Sequence, residues 1–292
     1  MDGTERKLSN GEDYDLIQIS DEIRREAMEA SLLRERISSL QQQMLASVER
    51  YQAIPDEQLT QDFRNLSASV KSLSRNVSPA SLDHIDAMFN DCSLLQGAPH
   101  PQQALKSRKK IKLEAALWSV LIETVFKTPF TSFSYLGEDL FTTWSSMFDN
   151  HHSHLWPSPT KASEVWRYTT MEHLIRKSGI SPGGTWLQRS EHGDVKTHAT
   201  IREAANKTFS HLDQTLKAFF HTGCLDQIDT VIKKAFNLAM RIYTQRSRIQ
   251  VVYPHVGKSY LAGMENNLVP IPECEDCQIG SVSATINPGL AK

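Results

Sequence analysis

The chain has 292 residues, 39% of them hydrophobic and 23% charged, which is enough apolar material for one substantial core with an appended element or for two small domains. A formal net charge of −2 excludes a general attraction to polyanions, so nucleic acid would have to be met by a local basic patch. Four cysteines, Cys92, Cys224, Cys274 and Cys277, are too few for a disulfide framework at this length and point to a reducing compartment, cytoplasmic or nuclear.

Residues 1–13 are acidic and polar, without the apolar run of a secretory signal, and are expected to be a disordered N-terminus. From Tyr14 to Ile54 neither Pro nor Gly interrupts the chain, and apolar residues recur at alternating three- and four-residue steps: Ile19, Ile23, Ala30, Leu33, Ile37, Leu40, Met44 and Tyr51. This is a coiled-coil seam, imperfect because Glu26 and Ser47 fall on it. So long an amphipathic helix exceeds what its own chain can cover, which implies self-association or capture of another helix. Ile54-Pro55-Asp56 then reads as a turn and N-cap signal, followed by a second seam at Leu59, Phe63, Leu66, Val70, Leu73 and Val77. Residues 14–77 are thus expected to form one coiled-coil or hairpin module, its second helix either folding back on the first or prolonging the rod.

The expected helical domain covers residues 78–250. Ser78-Pro79 opens a short helix with Leu82, Ile85, Phe89, Cys92 and Leu95 on one face, ended by Gly97, Pro99 and Pro101. The next helix, from about Leu105 to Lys127, starts with a basic run (Lys106, Arg108, Lys109, Lys110, Lys112) and becomes strongly apolar through Leu117, Trp118, Leu121, Ile122, Val125 and Phe126. It is the expected central helix, and it is too short, with Glu114 and Glu123 in or beside it, to cross a bilayer. Thr128-Pro129-Phe130 stops it, and Phe133, Tyr135, Phe141, Trp144 and Phe148 follow. Further helices are predicted from Ser158 to Lys177, closed by Gly179; from about Thr197 to His221; and from Asp226 to about Arg248, with a loop over 180–195. Eight Pro and Gly residues between Pro254 and Gly289 mark residues 251–292 as an irregular tail. The fold class is all-α.

Chemistry-bearing patterns are sparse. The basic run Lys106–Lys112 suits a nuclear-import signal or a small phosphate-binding patch, because cations in a first helical turn oppose the macrodipole and so do not serve helix stability. Lys234, Arg241 and Arg248 recur at seven-residue steps with Lys233 and Arg246 nearby, a basic stripe that is either a solvated face or, with the first run, a nucleic-acid surface. Cys274 and Cys277 have the spacing of half a zinc site; His255 is the only imidazole of the tail, so completing it needs Cys92, Cys224 or a second chain. His151, His152 and His154 cluster before Leu155-Trp156-Pro157, a pattern typical of a loop, and Ser181–Thr185 is glycine-rich without the lysine of a nucleotide loop. No catalytic signature emerges, so catalytic and cofactor residues are left unassigned.

The coiled-coil start, the stretch Leu117–Phe126 and the segment Tyr260–Leu268 together resemble uncharacterised helical proteins of filamentous fungi. That resemblance implies an intracellular protein without assigned activity, sometimes suspected of a regulatory role, and transfers no functional residue. The expected function is a non-enzymatic interaction or scaffold protein whose partners are other proteins or further copies of itself. The alternatives are a nuclear regulator using segments 106–112 and 233–248, opposed by the acidic lead-in Asn10–Asp15, and a helical metalloprotein using Cys274 and Cys277.

Overall fold

The computed structural model describes residues 22–39, 53–76, 106–148, 156–180, 186, 190–216, 225–254, 258–261, 279–282 and 285–292. It is all-α in class and divides into two compact units, residues 1–53 and 54–292. In the first unit, residues 22–39 form one helix, α1. Residues 14–21 and 40–52 of the expected first helix lie outside the described residues, as do the short helix of residues 79–95 and the tail segment 262–278, while Ala53 and Ile54 are described and not helical.

The second unit begins with α2 (Asp56–Arg75), starting at Asp56 as its sequence signal indicated. Leu59, Phe63, Leu66, Val70 and Leu73 are buried, the predicted four-three alternation, but they face the body. α2 packs chiefly on α7 (Leu225–Tyr243) and on α3 (Lys106–Leu121). Polar contacts fasten both its ends there: the Ile54 amide donates to Gln245 Oε1 at 3.2 Å, and Asn76 Nδ2 donates to Gln227 Oε1 at 2.8 Å. α2 thus belongs to the second compact unit, which begins at Ile54. A heptad seam states that a helix buries one stripe; it does not name the partner, and α3 and α7 offer a wide apolar surface to bury against.

α3 continues through a π-helical turn, Ile122–Phe126, to the stop at Thr128–Phe130. Leu113, Leu117, Trp118, Leu121, Val125 and Phe126 are all buried, as expected of a central helix. α7 shares that centre, burying ten side chains from Ile228 to Tyr243. After a 3-10 turn, Thr131–Phe133, the chain enters α4 (Ser134–Phe148) at an acute bend. Gly137 sits so close to Phe130 that a Cβ there would lie 1.9 Å from the Phe130 carbonyl oxygen, so only glycine lets the two segments meet. Ser134, at φ 51° and ψ −135°, takes the backbone strain of the same bend.

α5 (Lys161–Ser178) ends at the predicted Gly179 but starts at Lys161, capped by Thr160 instead of the expected Ser158. Thr160 Oγ1 accepts the Ser163 amide at 3.1 Å, and Gly179 closes the helix in the left-handed conformation, φ 76°. α6 (Val195–Leu216) is capped by Asp194, whose Oδ2 accepts the Thr197 hydroxyl at 2.6 Å and its amide at 3.0 Å. α6 packs against α4, α5 and α7 and touches the 3-10 turn.

The expected irregular tail contains strands. β1 (Gln250–Val252) pairs antiparallel with β4 (Gly289–Ala291), matching Val251 with Leu290, and β2 (Ser259–Leu261) pairs with β3 (Ile279–Ser281). Three-residue strands embedded among Pro and Gly carry no period that sequence can register. The end of the chain returns to α2, where Lys292 Nζ meets Asp56 at 2.9 Å and Asn287 Oδ1 accepts the Ser67 hydroxyl at 2.8 Å.

Candidate interaction surface

In α1 every residue from 22 to 39 is exposed. The seam residues lie open along its length: Ile23 is 61% exposed, Leu33 57% and Ile37 54%, with Ala30 between them. With Ile23, Ala30 and Ile37 at one core position of the heptad, Glu26 and Leu33 fall at the other. The flanks are charged, Glu22, Glu29 and Arg36 on one side and Arg34 on the other. Met28 and Leu32, also exposed, point away from this seam by the helical repeat. An isolated helix of about this length is marginal in water, so a stretch with every side chain exposed lacks the packing that usually holds a helix. Ile19, Leu40, Met44 and Tyr51, the other predicted seam residues, lie outside the described residues.

Most cations of the basic stripe have partners within the molecule. Lys234 Nζ donates to Ser69 Oγ at 2.7 Å, Arg241 pairs with Asp62 of α2 at 2.5 Å, and Lys233 pairs with Asp229 one turn earlier. Arg248, beyond the helix end, pairs with Glu164 of α5 and lies over the neighbouring rings of Trp144 and Trp156, 5.5 Å from each centroid. Three of the five cations, Lys234, Arg241 and Arg248, thus help hold α2 and α5 on the body, and Arg246 is exposed beyond the helix. The first basic run does open α3 at Lys106; Lys110 and Lys112 are half-buried there, and the side chains of Lys106, Arg108 and Lys109 are outside the description.

Arg248 belongs to a polar junction that periodicity does not reveal. Arg167 of α5 is fully buried. Its Nε donates to Glu164 Oε2 at 2.7 Å, while the two terminal nitrogens donate to the carbonyls of Tyr243 at 2.8 Å and Gln245 at 2.9 Å, with Arg246 and Ser247 carbonyls at 3.4 Å. These are carbonyls at and just beyond the end of α7, which no further helical turn satisfies; the guanidinium is a buried C-terminal cap supplied by another helix. Burial pushes Arg167 down from the ordinary arginine range, and the Glu164 hydrogen bond and charge offset part of that. Tyr243 donates its hydroxyl to the Phe126 carbonyl at 3.0 Å, and burial pushes its phenol well up. Trp156 Nε1 reaches the Lys127 carbonyl at 3.0 Å, and Trp144 Nε1 is shared between Ser163 O and Oγ. With the cations and donors already partnered inside the molecule, the junction is suited to locking α4, α5 and α7 together.

All four cysteines, the histidines at 151, 152 and 154, and residues 181–185 lie outside the described residues, so Cys274 and Cys277 gain no geometry as a zinc half-site. No helix among the described residues is long and apolar enough to cross a membrane. Compared with protein-family models, curated proteins and solved structures, the chain matches none.

Proposed function

We propose that the chain is a non-enzymatic interaction protein that assembles through the seam carried by residues 19–51, with residues 54–292 as the folded body that the assembly brings together. One observation supports this reading above the others: α1 keeps Ile23, Leu33 and Ile37 in water, whereas the equivalent stripe of α2 is buried. Two seams of similar pattern thus have opposite fates, and the open one has apolar surface still to bury.

The test is light scattering on the full-length chain and on the double variant Ile23→Lys/Ile37→Lys. Wild type is expected at a multiple of one chain's mass and the variant at one chain's mass, with the circular dichroism of the body retained. A wild-type chain that stays monomeric at micromolar concentration overturns the proposal.

A further inference from the structure

We infer that the occupant of the α1 seam is α1 of a second copy lying antiparallel to it; the inference rests on the self-association proposed above and fixes its geometry. Charge favours a second copy as the partner. Across a parallel pair Glu29 meets Arg34 of the other helix, and across an antiparallel pair it meets Arg36, so the flanks attract in either direction.

The seam residues decide the direction. In a parallel, in-register pair each core residue faces its own copy. Glu26 would then meet Glu26, placing two carboxylates together in an apolar interface, where like charges repel and desolvation penalises both. Ala30 would face Ala30, leaving a gap between two larger layers. Turning one helix around changes both pairings. Ala30 then packs against Leu33, a small side chain against a large one, and Glu26 packs beside Ile37. The two carboxylates are then separated by about 16 Å along the axis, at 1.5 Å per residue, so neither faces its twin. The two chains therefore leave the pair in opposite directions.

The experiment places p-benzoylphenylalanine at Ile37 of the full-length chain, with a second variant carrying it at Ile23, and maps inter-chain photo-cross-links by mass spectrometry beside light scattering. Cross-links from position 37 to residues 22–29, and from position 23 to residues 36–39, are the expected result. Cross-links from position 37 to residues 33–41 of a dimeric chain mean a parallel pair and overturn this inference while leaving self-association intact. A chain that scatters as a monomer and gives no inter-chain cross-link overturns both.

Discussion

At the scale of single residues, the side chain that matters most to the body is a charged one in its interior. Arg167 is buried, and its fork joins Glu164 to the carbonyls of Tyr243 and Gln245. Removing one partner of such a set strands the others away from water. Arg167→Met is therefore expected to cost roughly 3–5 kcal/mol of unfolding free energy, read from urea denaturation. Arg167→Lys should recover only a minor part, because an ammonium cannot reproduce the planar fork; full recovery by lysine would show that charge alone is needed. Half of this junction was legible beforehand: Glu164 and Arg167 stand three apart on a predicted helix. The other half was not, since Arg248 comes from 84 positions further on, and in the sequence it looked like the last member of a surface stripe.

At the scale of elements, caps and breakers acted as their chemistry requires. Pro55-Asp56 started α2, Gly179 ended α5, and Thr128–Phe130 stopped the central helix. Local hydrogen bonding and backbone freedom set these points, so a short window of sequence contains their cause. Asp194, the cap of α6, gives an expectation with a pH sign. Hydrogen bonds from the Thr197 hydroxyl and then its amide hold the carboxyl below its ordinary value of 3.8. The folded state thus binds that proton more weakly than the unfolded chain, and the stabilisation is present above 3.8 and lost as pH falls through the depressed value. Asp194→Ala is expected to lower Tm at neutral pH, with the gap to wild type narrowing towards pH 3; a gap independent of pH would assign the effect to the fold of the loop instead. The strands of the tail were the element missed, because β1 and its partner β4 are far apart in sequence and a three-residue strand leaves no periodic trace.

At the scale of the whole molecule, the division between Ala53 and Ile54 leads to a direct comparison of two truncations. Residues 54–292 keep α2, whose Leu59, Leu66, Val70 and Leu73 are almost wholly buried, and are expected to fold cooperatively as a monomer. Residues 78–292 lose that helix and expose the faces of α3 and α7 beneath it, so they are expected to aggregate or to melt without a cooperative transition, each buried leucine lost being worth roughly 2–5 kcal/mol. Equal Tm values for the two fragments, by calorimetry, would refute the placement of α2 in the core. The sequence by itself determined the all-α class, the stops at Thr128–Phe130 and Gly179, and the apolar stripes of α2 and α3, since these follow from local dihedral preference, backbone freedom and a period of 3.6 residues. Only the tertiary structure decided which seam is covered. α1 and α2 have nearly the same heptad pattern, yet α2 is buried against α3 and α7 while α1 is exposed. Apolar periodicity encodes that a face must leave water, but hydrophobic attraction has no direction, and the partner is fixed by which surfaces the rest of the chain brings within reach.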